Sequence, residues 1–306
     1  MMKCNICGAQ YLEFPLLFKA GNVHGRHVLG NEIFDVCQCP KCKTIFTDIN
    51  TDSAYYAKYY GSDYYQDLDN NSILGKVLLF LKHLSFKRSL GLMRRFNPKA
   101  KKVLEIGCAK GDFLSWLPNS YEKFAVEINQ NALKFVKEGC KDISILGERV
   151  EAVSPKNGKF DAILFFHVLE HVDNPDTFFS SLSNLLDKEG VTILEIPSSQ
   201  SLGLRLTKTN WFHLDTPRHL YFYSYDSLKT LLDRYNLKII YFCGNPIDYF
   251  HDLPVSVLKC AQTGNKFINI MFAIIILPVF LFVRLSVALF FPRFAEINTY
   301  VLKRKD

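Results

Sequence analysis

The run Val103-Leu104-Glu105-Ile106-Gly107-Cys108-Ala109-Lys110-Gly111-Asp112-Phe113-Leu114 limits what this chain can fold into more than any other stretch. Four residues with an apolar majority read as a short buried strand. A glycine-bearing turn follows, and then an apolar spacing that begins a helix. A strand, glycine turn and helix in that order belong to a doubly wound α/β sheet, where a ligand meets the carboxyl end of a strand. Gly107 and Gly111 let the backbone turn sharply, and the free N–H groups of the turn and helix N-terminus favour a carboxylate or phosphate.

The next segments keep the same rhythm. Phe124-Ala125-Val126-Glu127 reads as a second strand, ending in a carboxylate roughly 20 residues past the first glycine, where it would grip a ribose hydroxyl pair. Strands are expected near 102–106, 123–127, 143–146, 160–166, 190–196, 237–243 and 297–302, with helices between most of them. Continuous apolar runs in the middle strands suit a sheet covered on both faces.

Four motifs in order carry a resemblance: the glycine turn, Glu127, the run Phe160-Asp161-Ala162-Ile163 through His167-Val168-Leu169-Glu170-His171-Val172, and Gly190-Val191-Thr192-Ile193-Leu194-Glu195-Ile196-Pro197. Over about residues 100–245 the chain resembles the class I S-adenosylmethionine (SAM)-dependent methyltransferases, in the small-molecule branch of glycan and sugar-modifying pathways. The resemblance implies a Rossmann-like, seven-stranded α/β sheet. It also implies a SAM site made by Glu105, Gly107, Cys108, Gly111, Glu127, Glu148 and Phe166. Glu105 stands where aspartate is commoner, and Ala109 replaces a middle glycine.

Residues 1–50 have a different character. Cys4 and Cys7 form one C-x-x-C knuckle, and Cys39 and Cys42 form another about thirty residues on, the spacing of a zinc ribbon. Four thiolates close the coordination sphere, so Zn2+ there is structural. Cys37 is spare, and His24 and His27 fall in the intervening loop. Nine cysteines behind a start without an apolar signal segment point to a reducing, cytoplasmic setting. Residues 51–100 read as a helical lid or linker. Tyr55, Tyr56, Tyr59, Tyr60, Tyr64 and Tyr65 crowd its first half. A basic run from Lys82 through Lys87, Arg88, Arg94 and Arg95 crosses its second, facing solvent, a phosphate or a lipid headgroup. The methyltransferase domain then occupies 101–306.

Methyl transfer needs an aligned acceptor and a base for its proton, and imidazole titrates near neutral pH. His167 and His171 follow the fourth expected strand. Trp211 to Ser224 contains His213, Asp215, Arg218 and His219, and resembles the H-x-D-x-P-x-H segment of the glycan branch. The base candidates in order are His219, His171 and His213, with His167 beside them. Arg218 suits a phosphate or carboxylate on the substrate, and Ser224 caps the following helix.

Phe267 to Val283 is almost wholly apolar and is broken by Pro278. If the strands on either side belong to one sheet, a single membrane crossing is excluded. The expectation is that 264–293 forms a re-entrant or interfacial hairpin turning near Pro278 and associates monotopically with the cytoplasmic face of a membrane, with two helices packed on the domain or a partner as the alternative. The sequence-based reading is therefore a SAM-dependent methyltransferase acting on a nucleotide- or lipid-linked sugar. A quinone or lipid-phenol O-methyltransferase is the alternative, although His167 replaces the first glutamate of that group's metal-binding E-x-x-E-H. A non-catalytic zinc- and membrane-binding scaffold is a further one. The net charge of +7 also raises nucleic acid as a partner, against which the Asn/Asp-Pro-Pro-Tyr/Phe motif of amino-base methyltransferases is missing after the fourth strand.

Overall fold

The computed structural model describes residues 1–21, 32–52, 55, 58–59, 72–262 and 266–305. His24, His27, Tyr56, Tyr60, Tyr64 and Tyr65 lie outside the described residues. In chain order the elements are strands β1 (Met2–Lys3), β2 (Gln10–Tyr11), β3 (Leu16–Ala20), β4 (Phe34–Gln38) and β5 (Ile45–Thr47), then helix α1 (Ile73–Phe96). Next come β6 (Lys102–Ile106), α2 (Asp112–Trp116), β7 (Glu122–Val126), α3 (Gln130–Gly139), β8 (Ile143–Gly147), β9 (Phe160–Phe166), α4 (Pro175–Leu185) and β10 (Leu186–Pro197). The chain closes with α5 (Leu202–Thr207), β11 (Tyr221–Phe222), α6 (Tyr225–Asp233), β12 (Leu237–Gly244), α7 (Asp252–Cys260), α8 (Lys266–Phe290) and β13 (Ile297–Arg304).

These elements gather into two compact units that do not follow chain order. One, the sheet unit, comprises Ser62–Glu195, Leu231–Tyr241 and Tyr300–Asp306. The other, the ribbon unit, comprises Met1–Gly61, Ile196–Thr230 and Phe242–Thr299. The N-terminal 50 residues are thus packed with two later segments rather than set apart as a module.

Among the described residues the sheet unit is built on seven strands in the order β12-β13-β10-β9-β6-β7-β8. The pairs β6/β7, β7/β8, β6/β9 and β9/β10 are parallel. All seven expected strands are present. Consecutive residues such as Val103 and Leu104 are both fully buried, as a sheet covered on both faces requires. Leu90 and Met93 of α1 pack with Val103, Phe113 and Leu114 in its core. Ser72 caps α1 by accepting the Gly75 N–H at 3.0 Å, and Asn129 caps α3 through the N–H groups of Asn131 and Ala132. Of the basic run on α1, Lys82, Lys87, Arg94 and Arg95 are exposed and Arg88 is half-buried. Lys82 reaches Asp112 at 2.5 Å, and Arg88 meets the buried Glu195 at 2.6 Å.

In the ribbon unit β11, β5, β4 and β3 form an antiparallel sheet in that order, with Tyr221 opposite Phe46 and Phe222 opposite Ile45. Trp211, Leu214 and Leu204 pack with Ala20, Val36, Ile45 and Phe222 beneath it. Glu296 accepts the Trp211 indole N–H and the Gly203 N–H, both at 2.7 Å. A Cβ on Gly203 would lie 2.4 Å from the Glu296 carboxylate, so only glycine permits this approach. Ser224 caps α6 as expected, its hydroxyl accepting the Ser227 N–H at 3.0 Å.

The apolar stretch corrects the sequence-based expectation. It is one continuous helix, α8, running through Pro278 rather than a hairpin or two helices. Proline removes a single N–H donor, and an apolar run offers the rest of the backbone no better partner than its own helix. β12 and β13, which flank α7 and α8, are neighbours in the sheet order, so both ends of the insertion return to one sheet.

Candidate cofactor crevice, cysteine cluster and histidine segment

From β6 the sheet extends to β7 and β8 on one side and to β9 and β10 on the other, so the turn after β6 lies at the switch point where α/β sheets bind ligands. Gly107 and Gly111 have φ of 74° and 75°, and Ala109 adopts φ 49° between them. A Cβ on Gly107 would come within 2.4 Å of Val168 Cγ2, so the turn packs directly on the residue after His167. Ala109 is held in the left-handed region by Glu127, whose Oε2 accepts its N–H at 2.8 Å. The expected row of free N–H groups is largely absent. Gly107 and Cys108 donate to Val126, Ala109 to Glu127 and Gly111 to Cys108. Carboxylates, more than amides, characterise this turn.

Glu127 is 2% exposed and its second oxygen accepts the Asn129 N–H at 2.8 Å. Burial pushes its carboxyl up against the pull of these backbone donors. Glu105 is 5% exposed, and its Oε2 has no hydrogen-bond partner among the described residues. Burial, then Asp112 and Glu127, pushes it well above the usual carboxylate range. The buried Cys108 thiol is raised by burial and by the same two glutamates. Phe166 is half-buried, edge-on to Phe113 at 5.7 Å. Glu148 is exposed beyond β8 and accepts from Gln130 Nε2 at 2.5 Å. The structure therefore gathers Glu105, Gly107, Cys108, Gly111 and Glu127 at one turn and leaves Glu148 on the surface nearby. A pyrophosphate would meet Glu105, Asp112 and Glu127 as like charges. The SAM expected from the motifs is cationic at its sulfonium and ammonium, and its ribose diol suits the lone pairs left on Glu127, so the residues fit it.

His167, with φ 55°, donates its N–H to Glu195 O at 2.9 Å and places Nδ1 3.3 Å from Glu170 Oε1. Glu170 is 1% exposed, and neither of its oxygens accepts a hydrogen bond among the described residues. His171 is half-buried in the short 3-10 turn Leu169–His171.

In the ribbon unit the Sγ atoms of Cys4, Cys7, Cys39 and Cys42 lie within 4.8 Å of one another. Cys4 to Cys42 is 3.8 Å and Cys7 to Cys39 is 3.7 Å. A tetrahedron of Zn–S bonds has edges of about 3.8 Å, so the cluster fits the metal. The two knuckles are built alike. The residue four after each first cysteine, Gly8 or Lys43, takes positive φ and donates its N–H back to that cysteine's carbonyl, at 2.8 and 3.0 Å. A hydrogen bond from Cys4 holds the Cys42 thiol down to about 5. Cys37 is buried in β4 outside the cluster.

The histidine segment belongs to the same unit and is tied to the ribbon. Thr47 donates its N–H to Leu220 O at 3.0 Å and its hydroxyl to His219 O at 2.8 Å, and Tyr55 donates to Pro217 O at 3.1 Å. His219 Nδ1 is 2.7 Å from His213 O. A carbonyl only accepts, so Nδ1 carries the proton and Nε2 the lone pair. His213, 3% exposed, places Nε2 2.9 Å from Asp252, which Arg284 Nε also meets at 2.6 Å. Burial raises Asp252, but Arg284 and His213 overcome it and hold the carboxyl below its usual value. Arg218, expected to bind a substrate anion, is instead buried against Asp215 at 2.7 Å. Sequence reasoning missed Asp252 and Glu296. The available signal was Arg284, a lone cation in an apolar run that had to find a carboxylate.

The family described as a methyltransferase domain matches residues 81–241. A tRNA U34 carboxymethyltransferase of Sulfurimonas denitrificans is 34% identical over 113 residues, and the match spans 34% of this chain and 37% of that relative. Magnesium protoporphyrin IX methyltransferase from Synechocystis PCC 6803, solved with SAH bound, superposes with a TM-score of 0.50 at 14% identity, covering 81% of this chain and 96% of that one.

Proposed function

We propose, from the premise that this chain belongs to the methyltransferase domain family and is a SAM-dependent methyltransferase, that its acceptor is a small sugar-bearing molecule, nucleotide- or lipid-linked. Bound SAM supplies an electrophilic methyl group on a good leaving group. Glu127 takes the ribose diol while keeping Ala109 in place, and Glu105 gives the cationic end of the cofactor a buried counter-charge. His219 is the proposed proton acceptor, because the hydrogen bond from Nδ1 to His213 O sets the tautomer that puts the ring's lone pair on Nε2. The buried carboxylates Glu105 and Glu127 at the glycine turn carry the methyltransferase reading, that tautomer carries the choice of base, and the sugar acceptor rests on the resemblance of the segment Trp211 to Ser224 to the glycan branch. The four ribbon thiolates hold structural Zn2+, which keeps β5 in place to pair with β11 beside His219.

Methylation of RNA is the second reading, favoured by the named substrate of the Sulfurimonas relative. Labelled SAM offered with nucleotide sugars, polyprenyl-linked sugars and tRNA separates the two. Label in a sugar is expected, and His219→Asn should lower kcat by about 100-fold with the KM for SAM unchanged. Label in tRNA alone would sink the sugar reading.

A further inference from the structure

Helix α8 contains Asn269–Phe290, 22 residues long and apolar enough to cross a membrane. From Asn269 to Val283 no residue is buried. Ile270, Met271, Phe272, Ile274, Ile275, Leu277, Val279 and Phe282 are all exposed, Ile274 at 63% and Phe282 at 71%. At 100° per residue these positions sweep about 220° of the helix circumference, where a helix packing on a protein core needs an apolar stripe of about 100°. A face this broad is wetted from many directions at once, which suits acyl chains and does not suit the single seam of a second helix.

Charge points the same way. Residues 253–295 contain no aspartate or glutamate, but include Lys259, Lys266, Arg284 and Arg293, the last half-exposed and 3.6 Å from the exposed Asp226. Arg284 is spent internally on Asp252, and it also donates to Asn245 O at 3.3 Å, so the C-terminal third of the helix is pinned within the ribbon unit. Pro292–Phe294 then form a short turn that leads into β13. Because β12 and β13 are sheet neighbours, the helix cannot end on the far side of a bilayer.

We infer that α8 is an in-plane lipid anchor, lying in the acyl–headgroup boundary of an anionic membrane with Lys266 at one end and Arg293 at the other. Such a helix buries its apolar arc a few ångströms below the headgroups and uses flanking cations to favour anionic lipid. The same pinning joins the anchor to the histidine segment, since Asp252 is shared by Arg284 and His213, and His213 O accepts a hydrogen bond from His219 Nδ1. Asp252 and His213 thus stand between the anchor's Arg284 and the proposed base.

Flotation of the full chain with vesicles tests this. The wild-type protein should rise with phosphatidylcholine–phosphatidylglycerol vesicles and bind them about fivefold more tightly, per surface cation, than phosphatidylcholine alone. A variant carrying Ile274→Glu and Phe282→Glu, both at exposed positions, should stay at the bottom of the gradient. Its SAM affinity and melting temperature should be unchanged, which separates loss of the anchor from misfolding and from failure of the cofactor reading. A detergent-free monomer that ignores both vesicle types would overturn the inference. So would equal binding to the two lipids, or a wild-type dimer that the double variant splits, which would assign the face to a second copy.

Discussion

Asp252 in the ribbon unit is buried between Arg284 and His213, whereas Glu105 and Glu127 in the sheet unit are buried near one another and Asp112, with no side-chain cation in hydrogen-bond contact with either glutamate among the described residues and Lys82 paired to Asp112 instead. The first arrangement lowers a carboxyl and the second raises two. Both sets of groups are almost out of water, so the difference lies in what each was assembled to meet. A buried charge whose counter-charge is already present is architecture. One that waits for its counter-charge is a site, and the surrounding fold must supply the free energy that its burial costs.

The largest effect should come from breaking the completed pairing. Arg284→Met keeps the length and the apolar setting but strands Asp252, and should cost about 3–5 kcal/mol in chemical denaturation. A loss below 1 kcal/mol would mean water already reaches the carboxylate. Next, Glu127→Ala should weaken SAM binding about 100-fold by titration calorimetry, the worth of hydrogen bonds to one ionised group. Stability should change far less, because two backbone bonds are lost while repulsion on Glu105 is relieved. Unchanged affinity would remove Glu127 from the cofactor site. The smallest effect sharpens the comparison by pH. Glu105 has a raised folded pKa, so its contribution to stability is complete below its unfolded value of about 4.5 and is lost as pH rises through the folded value. Glu105→Gln should therefore flatten that decline and gain about 1 kcal/mol at neutral pH while weakening SAM binding. A variant that keeps the wild-type slope would assign the titration to another group.

What was legible beforehand follows the same division. Seven strands are read correctly because their signal is local: four to seven apolar residues between turns say strand whatever surrounds them. The clustering of Cys4, Cys7, Cys39 and Cys42 is legible because a C-x-x-C turn brings two thiols to one point. The turn at Gly107 is legible as a turn, but its N–H groups are not. That Ala109 spends its amide on Glu127 depends on a strand pairing, β6 with β7, that no local pattern states. Arg88 meeting Glu195 and Arg218 meeting Asp215 fail for a related reason, since sequence shows a charge but not whether a partner consumes it. The continuity of α8 was hidden by Pro278, read as a break where the structure tolerates one missing donor.

The antiparallel pairing of β11 with β5 has a consequence for how the chain is made. Ile45–Thr47 leaves the ribosome long before Tyr221–Phe222, and until then one edge of the ribbon sheet presents unpaired amides and carbonyls. Trp211, Leu214 and Leu204, which close the core beneath that sheet, arrive equally late. Pairing over so long a separation must close a large loop before any contact repays it, so the ribbon sheet should form after the β6-β7-β8 succession of near neighbours in the sheet unit. Early capture of metal by the two knuckles would hold β4 and β5 in register during the wait. In a metal-starved cell, the first casualty of this protein should be its yield from synthesis rather than the turnover of molecules already folded.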